Sequence, residues 1–400
     1  MNPLPVTRRG GGFFFLRKSR RAIPTMSETL SGIPAGMRYY SGSEARFRRA
    51  TENVLISIFD GWSYEEITTP TIDYYALFEH GMGRAQAHHA FRLSDTDGRM
   101  LAVRPDVTSL VARAAATLFA ERERPLRLCY VAPIFRQQPQ SHAEWKREST
   151  QIGGELFGGN SELADMEILA IICEVLQRLN LDRQALITLN DVEVFNGIAE
   201  QLKLVPDARN EMRDLVDARN AADLEGFLTR YCSASDAKAF AQLVRLSGKL
   251  NILSEARRLI KSPRSRLALD RLERLWSVIE TLQLADRFEI DLGDVSRLDY
   301  YTGLTFKIYV SGAGTRVGSG GRYDGLTASF GKSEPAVGFV FELDTLTEVL
   351  RRRSDESDLV EQMASAKKLT GQGMRDLFTA ARNSRAAGER IVIGPREEVR

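Results

Sequence analysis

Two stretches of the chain bring together residue types that suit a pocket for a small amphoteric molecule. One is Arg297-Leu298-Asp299-Tyr300-Tyr301-Thr302-Gly303, and the other is Gly318-Ser319-Gly320-Gly321-Arg322-Tyr323-Asp324-Gly325. Paired aromatics beside an acid offer ring surface and charge together, and glycines let a ligand approach the backbone. A hairpin rich in turn residues has the same composition, so both readings stay open on these residues alone. A third candidate is Gln151-Ile152-Gly153-Gly154-Glu155. On a strand Gln151, Gly153 and Glu155 share one face by two-residue alternation, which would point an amide and a carboxylate into one pocket. An exposed polar face is the commoner arrangement, but the apolar, glycine-containing runs on either side of Glu155 favour an acid out of water. No Walker loop, G-x-S-x-G elbow or H-E-x-x-H motif occurs. His88-His89 has no further Cys or His nearby and reads as a surface pair, so neither a metal nor a cofactor is expected.

Such residues need a scaffold. Phe47, Ala50, Val54, Leu55 and Ile58 follow helical spacing, with Gly61 closing the helix. A strand over 64–69 should end at Pro70. Further β-like runs occupy 90–93, 100–103, 126–135 and 151–157, and 107–119 reads as a helix with Asp106 as its cap behind Pro105. A helix at 163–179 and a strand at 185–189 come next. Residues 193–286 carry almost only helical periodicity, after which strands return at 288–292, 305–310 and 336–341. Strands without regular β-α-β alternation predict an α+β fold with an antiparallel sheet. The expected organisation is an N-terminal extension (1–29), a core (30–350) split by a helical insertion (193–286), and a weakly patterned tail (351–400).

Composition narrows the function classes. The 400 residues carry 55 Lys+Arg against 53 Asp+Glu, a formal charge of +2. Residues 1–25 hold Arg8, Arg9, Arg17, Lys18, Arg20 and Arg21 and no acid, so residues 26–400 sum to −4. A mildly acidic body argues against a broad nucleic-acid surface. The basic segment reads as a disordered extension, with Met26 as an alternative start. Cys129, Cys173 and Cys232 are widely spaced and odd in number, which suits a reducing cytoplasm better than a disulfide framework. No apolar run approaches the roughly 18 residues that span a bilayer.

Taken together, Pro70, Phe135-Arg136, the run from Gln151 to Gly158, Leu298-Asp299-Tyr300-Tyr301-Thr302-Gly303 and Gly320-Gly321-Arg322-Tyr323-Asp324 resemble the class II aminoacyl-tRNA synthetases of the histidyl type over residues 30–350. The resemblance implies a six-to-seven-stranded antiparallel sheet flanked by helices, and a homodimer formed around Pro70. It also implies a histidine site. Asp106, from Arg104-Pro105-Asp106-Val107-Thr108, would serve the α-amino group, Thr108 is kept beside it, and Arg136 would serve the carboxylate. Gln151 and Glu155 would serve the imidazole side, and Tyr300 and Tyr301 the ring.

The departures from that family fall elsewhere. Its third motif ends Gly-Phe-x-x-Gly-Leu-Glu-Arg, whereas here Gly338-Phe339-Val340-Phe341-Glu342-Leu343-Asp344-Thr345 puts a carboxylate in place of a glycine and a hydroxyl in place of the phosphate-gripping arginine. Phe135-Arg136-Gln137-Gln138 has Gln138 where the family has Glu, and Ser296-Arg297 shifts an activating arginine by one residue. No anticodon-binding domain is expected in 351–400. A site kept for histidine with a weakened grip on ATP resembles the histidyl-tRNA-synthetase-like regulatory subunits of ATP phosphoribosyltransferase. That implies a non-catalytic partner of a short-form catalytic subunit in the first step of histidine biosynthesis, with L-histidine as feedback effector and neither nucleic acid nor membrane as partner. A working histidyl-tRNA synthetase and a tRNA-docking relic of one are the rival readings.

Overall fold

The computed structural model describes residues 32–137, 146–159, 161–295, 300–353, 367–369, 374–387 and 391–393. The N-terminal extension, Gln138 and the segment Ser296-Arg297-Leu298-Asp299 lie outside the described residues.

The chain begins with α1 (Gly42–Gly61), β1 (Glu65–Glu66), β2 (Ile72–Tyr74), α2 (Tyr75–Met82), α3 (Arg84–Ala87), β3 (Phe91–Ser94), β4 (Met100–Val103) and α4 (Thr108–Ala116). The long strands β5 (Leu126–Phe135) and β6 (Glu148–Phe157) lead to α5 (Ser161–Arg178) and β7 (Ala185–Asp191). Helices α6 (Val192–Gln201), α7 (Pro206–Asp217), α8 (Ala221–Leu228) and α9 (Ala234–Leu243) come before β8 (Ser247–Gly248), and α10 (Asn251–Leu259) and α11 (Pro263–Thr281) after it. The chain then returns to the sheet with β9 (Phe288–Asp291), β10 (Leu304–Val310), β11 (Gly318–Arg322) and β12 (Ala336–Glu342), and α12 (Leu343–Arg353) follows. Last come β13 (Lys367–Leu369), α13 (Met374–Ala386) and β14 (Ile391–Ile393).

One sheet organises the molecule. Among the described residues it has nine strands in the order β1-β5-β6-β12-β11-β10-β7-β9-β8. Its centre is antiparallel, while β1 on β5 and β7 on β9 are parallel pairs. The α+β expectation holds, but the sheet is wider than the six or seven strands expected, because β8, β9 and the two-residue β1 extend both edges. The strand expected over 64–69 pairs only at Glu65 and Glu66, with one further bond from Ile67 N to the Cys129 carbonyl. The chain then turns away, as a proline at 70 requires.

Alternation along the strands sorts the side chains into two layers. On the rear face Ile152, Leu156, Phe339, Phe341, Phe306, Ile308, Ile187 and Ile290 join one buried cluster with α1, α5 and α11. Helices α6 to α11 contribute Met212, Phe240, Leu269 and Trp276 to that same cluster, so the helical stretch shares its core with the sheet. On the front face Leu128, Tyr130 and Ala132 of β5 pack with Val107, Val111 and Ala115 around α4. The Gly318–Arg322 run is a central strand between β10 and β12, not a turn. Glycine is needed there because a Cβ at Gly320 would collide with the Phe306 ring and the Gly338 carbonyl. The weakly patterned tail contains a parallel β13·β14 pair with α13 between its strands in sequence.

A smaller sheet, ordered β2-β4-β3, stands beside the main one. Its register aligns Ile72 with Val103 and Phe91, and Tyr74 with Leu101 and Leu93. Those six side chains share one apolar face, on which Ile72 (47%), Tyr74 (38%) and Leu93 (37%) remain exposed.

Arg104 holds the two sheets in place. It is buried, its Nε donates to the Pro133 carbonyl at 2.6 Å, and its Nη1 donates to the Thr69 carbonyl at 2.8 Å and to Thr69 Oγ1 at 3.1 Å. This clamp fixes the segment before Pro70 against the end of β5. Arg104→Ala strips buried acceptors of a charged donor and should destabilise the protein by about 3 kcal/mol or more. Chemical denaturation checks this; a loss below about 1 kcal/mol would show that the clamp is dispensable.

Candidate functional site

The front face of β6 and β12 forms the floor of a small cleft. Register fixes what stands side by side: Gln151 opposite Glu342, Gly153 opposite Val340, and Glu155 opposite Gly338. On the next strand Ser319 pairs with Val340 and Gly321 with Gly338. All seven residues singled out in the sequence, Asp106, Thr108, Arg136, Gln151, Glu155, Tyr300 and Tyr301, line this one cleft.

Glu155 sits deepest, with 1% of its surface exposed. Thr108 and Tyr130 donate their hydroxyls to its Oε1 at 2.9 and 3.1 Å, and Tyr323 donates to Oε2. A Cβ at position 338 would overlap the Glu155 carboxylate, so Gly338 is what leaves room for it. Burial pushes the Glu155 carboxyl up to about 8, against the pull of the hydroxyl donors and with the nearby Asp106 charge adding to the rise. Tyr130, Tyr300 and Tyr323 are likewise held well above the usual phenol range by burial, which keeps them as neutral donors.

Asp106 combines two of the roles open to it. Its Oδ2 accepts from the Ser109 amide and the Ser109 hydroxyl, both at 3.0 Å, tying down the start of α4 while the side chain lines the cleft. Thr108 donates to Glu155 and so positions its carboxyl group. Arg136 donates its Nε to the Pro105 carbonyl at 3.1 Å. Gln151 donates its amide to Glu342 Oε1 at 3.1 Å, closing the outer row of the floor. Tyr300 packs edge-on against Tyr301 at 4.8 Å and against Tyr323 at 5.7 Å between ring centroids. Together these walls present carboxylates, guanidinium groups and aromatic rings around a small volume, a lining suited to a zwitterion with a polar ring.

Beyond those seven, the polar side chains that line the cleft are Arg316, Ser319, Tyr323 and Glu342, while Tyr130 reaches Glu155 from β5. Tyr130 was legible in principle, since it shares the front face of β5 with Leu128 and Ala132. Tyr323 and Ser319 stood within the glycine-rich run, and Glu342 had been noted only as a departure. Nothing in the sequence around Arg316 marks it as a site residue. Thr345 lies on α12, half-buried, and is not among the cleft residues. Next to it Asp344 is buried and engaged internally, accepting from Tyr40 Oη at 2.5 Å, the Thr150 amide at 2.7 Å and Arg48. Among the described residues no group of three His, Cys, Asp or Glu is placed to hold a metal ion. His88 and His89 sit edge to face, 6.3 Å apart.

Comparison with known proteins follows the same lines. The family model described as histidyl-tRNA synthetase matches residues 36–346. An ATP phosphoribosyltransferase regulatory subunit of Moorella thermoacetica is 33% identical over 363 residues, covering 90% of this chain and 91% of that protein. A solved structure from Bacillus halodurans, titled ATP phosphoribosyltransferase regulatory subunit/histidyl-tRNA synthetase, has a TM-score of 0.79 at 26% identity, covering 94% of this chain and 96% of its own. A histidine–tRNA ligase subunit from Alicyclobacillus acidocaldarius has a TM-score of 0.70 at 27% identity, covering 81% of this chain and 98% of its own.

The raised Glu155 carboxyl predicts a pH effect with a definite sign. Between about 4.5 and about 8 the folded protein holds a proton on Glu155 that the unfolded chain has released, so this group's contribution to stability declines as pH rises through that window. Glu155→Gln removes the titration. The melting temperature of the variant relative to the parent should therefore rise from pH 4.5 to pH 8.5, and a difference that stays flat would contradict the assignment.

Proposed function

The chain belongs to the histidyl-tRNA synthetase family, in its branch of ATP phosphoribosyltransferase regulatory subunits, and from that premise we propose that it is a non-catalytic subunit that senses L-histidine in the Glu155 cleft. The observation that carries this reading is the division within one cleft. The deep end offers a desolvated carboxyl group among hydroxyls and aromatic rings. The outer end carries Glu342, a charge that repels the phosphates of ATP, where the synthetase pattern has glycine.

Glu155 then accepts an imidazole N–H with Gln151 on the same side, Tyr300 and Tyr301 flank the ring, and Asp106 faces the ammonium. Arg136 and Arg316 are the cations available to the carboxylate. The partner is a short-form ATP phosphoribosyltransferase catalytic subunit, which condenses ATP with phosphoribosyl pyrophosphate at its own active site. Histidine bound here acts on that site by allosteric coupling, as feedback inhibition of the first step of histidine biosynthesis. The working compartment is the cytoplasm, where the three free cysteines stay reduced.

A second copy of the chain covers the apolar face of the β2-β4-β3 sheet. In-register exposed Ile72, Tyr74 and Leu93 beside the Pro70 segment support that placement. Leu93→Lys places a charge on this apolar face and should shift the protein from dimer to monomer in sedimentation velocity at micromolar concentration. A dimer that persists unchanged would place the interface elsewhere.

Purified protein titrated calorimetrically should bind histidine saturably and should support no histidine-dependent exchange of pyrophosphate into ATP. Glu155→Ala leaves the buried imidazole N–H without a partner, a loss of about 1 to 3 kcal/mol, and should weaken histidine about tenfold or more, moving the inhibition curve of the reconstituted complex to higher histidine. Robust exchange activity, or an inhibition curve indifferent to Glu155→Ala in folded protein, would overturn the sensor reading.

A further inference from the structure

The cleft holds two arginines, and they enter it from different walls. Arg136 follows β5 and donates to the carbonyl of Pro105, the residue before Asp106, so its guanidinium runs along the wall that carries Asp106. Arg316 comes from the connection between β10 and β11. Burial raises the hydroxyls of Tyr301 and Tyr309, and the Arg316 charge opposes the rise in both, which places that charge beside the tyrosine wall. In the sheet β6 and β12 stand between β5 and β11, a separation of three strand spacings or about 14 Å.

An amino acid that extends its ring toward Glu155 presents an ammonium and a carboxylate diverging from one carbon. With the ammonium on the Asp106 wall, a guanidinium on that same wall meets a like charge, while one arriving from the opposite side meets the carboxylate. Ser319 lies on the floor at the Arg316 side and adds a hydroxyl donor. We propose that Arg316, and not Arg136, receives the carboxylate of the bound amino acid and selects the free acid over analogues that lack it. This rests on the histidine reading of the cleft and assigns one end of it.

The test compares L-histidine with L-histidinol, in which an alcohol replaces the carboxylate, by calorimetric titration of the full chain. Arg316→Met should weaken histidine about 10- to 100-fold, as loss of a charge-assisted two-pronged contact implies, and leave histidinol unchanged, so that the preference collapses. Arg136→Met should keep the preference. Histidinol binding also reports that the variant is folded; if Arg316→Met binds neither compound, Arg316→Lys gives the same ratio, with a partial loss of preference expected because the charge stays and the fork is gone. A preference intact in the Arg316 variant, or lost only in Arg136→Met, overturns the assignment. Wild-type protein that binds neither compound instead removes the histidine reading itself, and the carboxylate assignment with it.

Discussion

A carboxylate taken out of water in the middle of a sheet needs donors from elements that are far apart in sequence. Glu155 draws them from the start of α4, from β5 and from the residue after β11. Each donor is itself held by packing: Tyr130 and Tyr323 belong to the front cluster built on α4 and β5. Across the strand pair Gly338 supplies the only kind of surface that leaves the carboxylate room. Because removing water from an acid is unfavourable by several kcal/mol unless it is compensated, these features make sense as a set and not singly. The same desolvation that raises the Glu155 pKa is what would give a ligand N–H its value there.

The sheet register extends this order outward. One step from the Glu155–Gly338 row lie Gly153, Val340 and Ser319, and a second step brings Gln151 and Glu342. The deep row is small and dry while the outer row is a linked amide and carboxylate, so a ligand meets a gradient from aromatic to charged as it leaves the floor. Two residues after Glu342, Asp344 gathers Tyr40, Arg48 and the Thr150 amide. That carboxylate joins the N-terminal segment, α1 and β6.

Periodicity carried most of the fold. The strands at 126–135 and 100–103 were readable to the residue because short, largely apolar runs were bounded by turn residues. Gly318–Arg322 resisted, since a strand of glycines has no alternation to read and its glycines answer to neighbours in β10 and β12 that local sequence does not reveal. The breadth of the sheet was hidden for a similar reason: β1 and β8 are two residues each, fixed by tertiary pairing. In the site, motif residues came together as their resemblance implied, whereas Arg316 rests in a stretch of turn residues and owes its place to the course of the β10–β11 connection. Thr108 could be named but not given its part, because only the packed structure shows its hydroxyl turned to Glu155.

The tyrosine segment is the place where occupancy of the cleft meets the rest of the molecule. Its amide at Thr302 donates to the Arg322 carbonyl, the Asp324 amide donates to Thr302 Oγ1, and the Val192 amide at the head of α6 donates to the Gly303 carbonyl. Arg322 in turn binds Asp165 of α5 through Nε and Nη2, at 3.1 and 2.6 Å. A ligand that shifts the Tyr300 and Tyr301 rings therefore acts next to Thr302 and Gly303, whose bonds lead to the start of the helical stretch and, through Arg322, to the rear helix of the sheet. Packed interiors of this kind change by small discrete steps and not by gradual deformation. Helices α6 to α11 share the rear core with the sheet, so a step taken at Gly303 has a mechanical route to their outer surface without any change in the floor that holds Glu155.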